Sequence, residues 1–233
     1  MPAKATSPTL LPADLYDLTV EDKRHLNEEQ RLGMVAPQDP LLQAQAQAID
    51  PKLIGSGHVQ RIVQRLFGIA GGQQQGSVKN KARRMLVGLA APQIGEPWRV
   101  FVADTKIDAQ RKKPGKLECF INPEIIWRSR ETEEGREGCF SAGPVWGLVR
   151  RPIAVKIRAF TPEGKKVERV FEGFTARIIQ HEVDHLNGIR FPDRITNDRK
   201  RHWVHAEEMS LYPAHVRQWV RLCSRERWKQ FTV

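Results

Sequence analysis

Cysteine is scarce in this chain of 233 residues, which holds three in all and none in a Cys-x-x-Cys pair. So few and so widely spaced cysteines exclude a disulfide framework, and free thiols favour a reducing compartment. Long apolar runs are also missing. Because no run approaches the roughly 18 apolar residues of a membrane span, we expect no membrane association.

The first 50 residues lack the pattern of a targeting segment. They carry eight acidic side chains against four basic ones, whereas transit peptides are rich in arginine and poor in acids. Together with the unpaired cysteines, this composition predicts a cytoplasmic protein.

Acidic residues are outnumbered, since 27 Asp and Glu face 38 Lys and Arg and leave a net charge of +11. The excess gathers at 79–84, at 111–116 and beyond residue 199. No base-reading motif is present, so sequence-specific nucleic-acid binding is not expected. Near the end, Val216, Trp219, Val220 and Cys223 have amphipathic helix spacing. This predicts a basic C-terminal helix over 201–233, either a docking site for RNA phosphates or a plain solvated face.

The most informative segment that is present is His-Glu-Val-Asp-His at 181–185. On a helix, His181 and His185 share one face and can bind one metal ion. Glu182 can then take a proton from a water molecule at that metal. The segment therefore predicts a metal-hydrolase site that still needs a third protein ligand.

The third ligand is not the histidine that some metalloproteases place six residues after the pair, because that position holds Phe191. Glu207 and Glu208 lie downstream and stay open as alternatives. Upstream, Cys139 stands in Glu-Gly-Cys-Phe-Ser, where small neighbours suit a tight turn that brings a thiolate to the site.

A third segment, Gly-Leu-Ala-Ala-Pro-Gln-Ile-Gly at 88–95, lets the backbone approach a ligand closely. Its Gln93 carries an amide that can donate to an oxygen.

In this order, the three segments resemble the motifs of peptide deformylases, and the resemblance covers about residues 40–200. It implies a hydrolase that removes the N-formyl group from the N-terminal formylmethionine of nascent polypeptides and releases formate. The implied metal is Fe(II), with Zn(II), Ni(II) or Co(II) as substitutes, and a thiolate ligand suits most of these. A protein that acts on nascent chains could also dock on the ribosome.

The resemblance also implies roles for single residues. The metal ligands would be Cys139, His181 and His185, the general acid/base Glu182, the oxyanion donors Gln93 and the Phe140 N–H, and the substrate contacts Val87, Gly88, Glu137 and Phe140. We further expect Glu137 to pair with Arg151.

Three positions depart from the family pattern, namely Leu86 for a glycine, Phe140 for leucine and Arg150 for proline. They bear on substrate preference. Two rival functions remain: a metalloendopeptidase, or a ribosome-associated binding protein with an inactive site.

The predicted fold is α+β, with antiparallel sheets around a central helix that carries the two histidines. We expect strands at 99–103 and 117–126, a hairpin of 153–160 with 166–171, and the metal helix at 174–187. A further helix at 56–69 should stop at Gly71-Gly72 and lead into a flexible insert, 71–81. The predicted division is an irregular extension (1–40), a metallohydrolase domain (41–200) and the basic helix (201–233).

Overall fold

The computed structural model describes residues 18–74, 86–107 and 115–232. The helices of these ranges are α1 (Val20–Arg31), α2 (Gly57–Gln74), α3 (Gly173–Leu186), α4 (Tyr212–His215) and α5 (Arg225–Phe231). The strands are β1 (Gly88–Ala90), β2 (Val100–Asp104), β3 (Leu117–Arg128), β4 (Thr132–Gly138), β5 (Val145–Pro152), β6 (Ala154–Phe160), β7 (Lys166–Glu172) and β8 (Arg201–Trp203). Among the described residues, none of the helices has both the length and the apolar character that a bilayer crossing demands.

All strand pairs are antiparallel and form two sheets, which confirms the predicted fold class. One sheet has the order β1-β2-β3-β6-β7 and the other the order β4-β5-β8. The predicted hairpin is β6 with β7, closed where Phe160 pairs with Lys166. Gly164 supplies the positive φ (76°) that this tight turn requires.

Helix α3 packs its apolar face on the five-stranded sheet, as the sequence predicts. Ile179, Val183 and Leu186 are fully or almost fully buried in one cluster with Phe101 and Val155. The helix ends at Leu186, and Gly188 follows at φ 70° as the expected terminating glycine. Burial of this face fixes how the opposite face meets the three-stranded sheet, where the functional side chains lie.

Helix α2 overturns one expected boundary. It runs through the Gly71-Gly72 pair to Gln74 rather than stopping there. Glycine inside a helix costs only about 1 kcal/mol relative to alanine, and the buried contacts of Ile62, Leu66 and Ala70 offset that cost. The first residues of the predicted insert are thus helical, while 75–81 lie outside the described residues, as do the basic clusters at 79–84 and 111–113.

The predicted C-terminal helix over 201–233 is wrong. The segment contains β8, the single-turn α4, an extended stretch and the seven-residue α5. The extended stretch adds to β8, since Trp203 N donates to Arg221 O and Cys223 N donates to Arg201 O. Val220 is 91% exposed, so the apolar spacing marks no continuous buried stripe.

Both ends of the described chain join one core. Trp228 and Phe231 of α5 are buried with Val145 of β5 and with Leu18, which precedes α1. Asp22 of α1 accepts hydrogen bonds from the Ala206 N–H at 2.8 Å and pairs with His205 at 2.6 Å. Part of the predicted N-terminal extension is therefore a helix clamped to the C-terminal segment. The first 17 residues lie outside the described ranges.

Candidate metal centre and active site

Three predicted ligands meet at one point. The ligand atoms of Cys139, His181 and His185 all lie within 4.8 Å of one another, and they form the only such group of three or more among the described residues. Cys139 Sγ is 3.3 Å from His185 Nε2, and the two imidazole centroids are 5.0 Å apart. A thiolate with two imidazoles is a donor set that suits divalent transition metals.

Local sequence explains why these side chains converge. His181 and His185 are one helical turn apart on α3. Cys139 follows β4 in an extended conformation and leads into a 3-10 turn at Phe140–Ala142. Gly138 is required just before it, because a Cβ atom there would overlap the indole of Trp146.

His181 is oriented by a carboxylate. Its Nδ1 lies 2.9 Å from Oε2 of Glu137, which leaves Nε2 free to face the centre. Such carboxylate–histidine pairs fix the ring orientation of metal ligands. The Nδ1 atom of His185, by contrast, is buried and has no hydrogen-bond partner among the described residues.

Glu137 sits at the middle of a buried ionic network. Arg151 donates to both of its oxygens at 2.6 and 2.9 Å, and Arg177 donates at 2.8 Å. Burial alone would raise the pKa of Glu137, but the adjacent Arg151 guanidinium and its hydrogen bonds hold it well below the usual value. The expected pairing with Arg151 is confirmed, and Asp184 of α3 also joins, since it accepts from Arg151 at 2.8 Å.

Glu182 is 3% exposed, and its Oε2 has no partner among the described residues. Burial raises its pKa to about 7, the range in which a carboxylate exchanges protons most readily at neutral pH. Gly88 makes room for this side chain, because a Cβ atom at position 88 would overlap Oε1 of Glu182. The sequence predicts that Gly88 lets the backbone approach a ligand closely. In the structure, the missing side chain at this position makes room for the Glu182 carboxylate.

Gln93 is held with its amide aimed at the centre. Its Oε1 accepts from the Ala90 N–H at 2.8 Å, and its Nε2 donates to Ser141 Oγ at 3.1 Å and to Cys139 Sγ at 3.4 Å. The side chain is almost fully buried. It is therefore a fixed donor beside the Cys139 sulfur.

A pocket that is partly open to solvent leads to these groups. The predicted contacts Val87, Gly88, Glu137 and Phe140 all line it. The side chain of Glu137, however, is engaged by its cationic partners, so its carboxylate braces the wall. The pocket is also lined by residues that the sequence analysis missed, namely Arg136, Trp146, Phe174, Arg177 and Ile178. Phe174, Arg177 and Ile178 precede His181 by seven, four and three residues, so helical periodicity places them on the same helix face as His181.

The structure also shows where the other departures from the family pattern and the alternative metal ligands lie. Leu86 lines the pocket, whereas the Arg150 side chain is 63% exposed and lies 4.0 Å from Glu134 on the surface. Glu208 binds Arg221, and Glu207 accepts from Thr19. Neither glutamate belongs to the three-ligand group, so nothing here favours them as metal ligands.

Similarity to known proteins agrees with this geometry. The sequence profile of the polypeptide deformylase family matches residues 32–201. A peptide deformylase of Desulforudis audaxviator is 48% identical over 115 residues, 49% of this chain and 70% of that protein. The chloroplastic/mitochondrial peptide deformylase 1A of Arabidopsis thaliana is 34% identical over 175 residues, 70% of this chain and 60% of that protein.

Solved structures give the same result. A class I type b peptide deformylase from Acinetobacter baumannii with bound Met-Ala-Ser matches with a TM-score of 0.61 and 31% identity, over 70% of this chain and 96% of that one. Peptide deformylase 1B of Arabidopsis thaliana matches with a TM-score of 0.60 and 26% identity, over 84% and 87% of the two chains. Deformylases are metal-dependent hydrolases that remove the N-formyl group from nascent polypeptides. From its profile match, its fold and its Cys-His-His group, the chain belongs to the polypeptide deformylase family.

Proposed function

We propose that this chain hydrolyses the N-formyl group of formylmethionine at the start of nascent polypeptides, releasing formate and a free amino terminus. The observation that carries the proposal is the meeting of Cys139, His181 and His185 within 4.8 Å, next to the almost fully buried Glu182, whose Oε2 has no hydrogen-bond partner among the described residues. Cys139, His181 and His185 would hold the metal. When bound, it supplies Lewis acidity, which lowers the pKa of a water molecule and polarises the formyl carbonyl.

The side chains of this site then perform the proton transfers. Glu182 accepts a proton from the attacking water and delivers it to the leaving amine nitrogen, which a pKa near 7 allows in both directions. Gln93 Nε2 and the Phe140 N–H would donate to the oxygen that gains negative charge. Loss of one such donor costs about 2.7–4 kcal/mol in the barrier.

For the metal we propose Fe(II), with Zn(II), Ni(II) and Co(II) as functional substitutes. The support is the donor set, because a thiolate beside two imidazoles favours borderline transition metals over Mg(II) or Ca(II). Metal analysis of protein purified without oxygen, alongside formate release from formyl-Met-Ala-Ser, tests this assignment. Iron at one equivalent with activity supports it. Active protein that carries zinc and no iron as purified would contradict iron as the native metal.

The assay that separates the proposed function from its rivals uses Glu182→Gln. This variant should keep its metal and lose about 10²- to 10⁴-fold in formate release. The control Glu131→Gln, which changes an exposed carboxylate between β3 and β4, should keep full activity. Cleavage of internal peptide bonds by the wild type would favour a metalloendopeptidase. Wild type that binds no added metal and releases no formate would favour a binding protein with an inactive site.

Docking on the ribosome remains a proposal for the C-terminal segment. Its support is now a surface rather than a helix: Arg217, Arg221, Arg225 and Lys229 are exposed near the exposed Val220. Deletion of the segment is an unsuitable test, because Trp228 and Phe231 belong to the core.

Substitution of these four basic residues by glutamine removes their charge and the surface ion pair of Arg221 with Glu208, and leaves the buried core residues in place. We expect it to abolish co-sedimentation with ribosomes and to flatten the salt dependence. A matched control replaces four other exposed arginines, Arg31, Arg61, Arg128 and Arg130. Equal loss in both variants, or in neither, contradicts docking through this surface.

We also propose a cytoplasmic location. The support is that all three cysteines are free, and that two of them are buried. Free thiols are expected in a reducing compartment. Cell fractionation with antibodies tests it, and recovery with an organelle or envelope fraction would contradict it.

A further inference from the structure

One wall of the pocket carries a positive charge. Arg136 of β4 lines the pocket together with Trp146 of β5. It is half-buried, and burial lowers the pKa of its guanidinium. A cation kept partly away from water usually has an anionic partner, and we therefore expect one for Arg136.

No carboxylate of the described residues forms an ion pair with Arg136. On its own face of β4, Glu134 binds Lys200 instead. The next residue, Glu137, points to the opposite face and is surrounded by Arg151, Arg177 and His181. The Arg136 guanidinium instead lies over an aromatic ring, that of Tyr212, whose centroid is 6.0 Å away.

Tyr212 holds this part of the wall in place. It is fully buried, its hydroxyl lies 2.7 Å from His202 Nδ1, and its ring meets that of Trp146 edge-to-face at 5.8 Å. Tyr212 lies beyond residue 201, where the family match ends. Arg136 and Trp146 therefore pack against a residue from a segment that the family profile does not cover.

The position of Arg136 relates it to a particular part of a bound peptide. It precedes Cys139 by three residues in an extended chain, a distance of about 10 Å along the strand. A peptide whose formyl carbon lies at the metal and whose chain is extended reaches its second and third side chains at about the same distance. Arg136 and the second and third side chains of such a peptide thus lie at similar distances from the metal ligands, so that a contact between them is geometrically allowed.

We propose that Arg136 is a specificity-determining residue that selects formylated peptides with an acidic side chain at the second or third position. Guanidinium groups bind carboxylates through charge-assisted, often bidentate hydrogen bonds. The other two carboxylates that line the pocket are those of Glu137 and Glu182. Neither neutralises Arg136, because Glu137 is paired with other cations and Glu182 lies beside the metal ligands. The inference rests on the proposed deformylation and names its preferred substrate class.

The test compares C-terminally amidated peptides, so that the side chain supplies the only carboxylate. Formyl-Met-Glu-Ser amide is paired with formyl-Met-Gln-Ser amide, and formyl-Met-Ala-Glu amide with formyl-Met-Ala-Gln amide. We expect the wild type to prefer the acidic member of at least one pair about three- to tenfold in kcat/KM, mainly through KM. The preference should shrink as salt is added.

Variants assign the preference to the charge. Arg136→Gln and Arg136→Met, which differ in bulk, should both bring the ratio of acidic to neutral peptide to about one, whereas Arg136→Lys should retain a preference. Arg61→Gln, which removes an exposed charge from α2, should keep the wild-type ratio. Because each ratio is taken within one protein, a general loss of activity does not affect it.

The outcomes are distinct. A wild-type preference that disappears in both neutral variants and survives in Arg136→Lys establishes the inference. A ratio near one in the wild type, or an unchanged ratio in Arg136→Gln and Arg136→Met, overturns it while deformylation stands. If metal-loaded wild type releases formate from none of the peptides, including formyl-Met-Ala-Ser, the proposed function itself fails and the inference fails with it.

Discussion

Arg151 grips Glu137 with two parallel hydrogen bonds, of 2.6 and 2.9 Å, in the buried space between β4, β5 and helix α3. Glu137 in turn contacts Nδ1 of His181, one of the proposed metal ligands. The pair therefore connects the strand that leads to Cys139 with the helix that carries both histidines. Stability and metal binding should depend on it together.

Replacement of Glu137 by glutamine tests that connection. Breaking a buried pair by removing one partner costs about 3–5 kcal/mol, and we expect the lower end because Arg151 keeps Asp184. Loss of the carboxylate behind His181 should also weaken metal affinity about 10- to 100-fold. Chemical denaturation and metal competition measure the two effects. The exposed control Glu131→Gln should change neither, and equal behaviour of the two variants would refute the connection.

The same carboxylate predicts a dependence on pH. Its folded pKa lies well below the usual 4.5, so its stabilising effect is full above about pH 4.5 and is lost as pH falls towards the folded pKa. The difference in unfolding free energy between wild type and Glu137→Gln should therefore shrink below pH 4.5. Denaturation of both proteins between pH 7 and pH 3 measures it. A difference that grows on acidification would show that the sign is wrong.

Gly88 is predicted to be intolerant of even one methyl group. Alanine there would push against Oε1 of Glu182 and move the general base, so formate release should fall at least about 10²-fold. Gly68 of α2 has open space around it. Gly68→Ala should keep activity and add about 0.5–1 kcal/mol of stability. Full activity in Gly88→Ala would mean that Glu182 is not held as described.

The three thiols should differ sharply in reactivity. Burial raises the pKa of Cys119 to about 12 and that of Cys223 to about 11, whereas Cys139 is partly exposed at the pocket. Metal-free native protein should thus react with one equivalent of a thiol reagent at pH 8, and Cys139→Ser with none. Metal should protect the reactive thiol. Two or three fast-reacting thiols in native wild type would contradict the placement of these cysteines.

The C-terminal segment is predicted to be part of the folding unit. Trp228 is 1% exposed, donates to Asp193 at 2.7 Å and lies under the Arg190 guanidinium at 4.6 Å. Trp228→Ala should cost about 3–5 kcal/mol. Trp127, 51% exposed on β3, offers a matched control whose truncation should cost about 1 kcal/mol or less. Similar costs, measured by urea denaturation, would argue against this packing.

Local patterns explain which parts of the site were predictable. The spacing of His181 and His185 defines one helix face without tertiary information, and α3 has the expected bounds to within a residue. Cys139 was one of several candidate ligands until the family resemblance selected it. The Glu137–Arg151 pair was guessed correctly, but the addition of Asp184 and Arg177 depends on the register of β4 with β5 and on the seat of α3.

The errors have the same origin. Apolar spacing at Val216 and Trp219 predicted a long helix, because periodicity contains no information on the pairing of Arg221 and Cys223 with β8. Likewise, Gly71-Gly72 predicts a helix end from sequence alone, because the sequence does not show the packing that stabilises α2 beyond these glycines. The sequence alone does not single out Arg136, because its contact with Tyr212, 76 positions away and outside the family motifs, depends on the fold.

X-ray absorption at the metal edge of anaerobically purified protein tests the central claim most directly, because it identifies the atoms around the ion. The account predicts one sulfur and two imidazole nitrogens in the wild type, and loss of the sulfur in Cys139→Ser. A wild-type spectrum with only nitrogen and oxygen neighbours, or a sulfur that persists in Cys139→Ser, would contradict it.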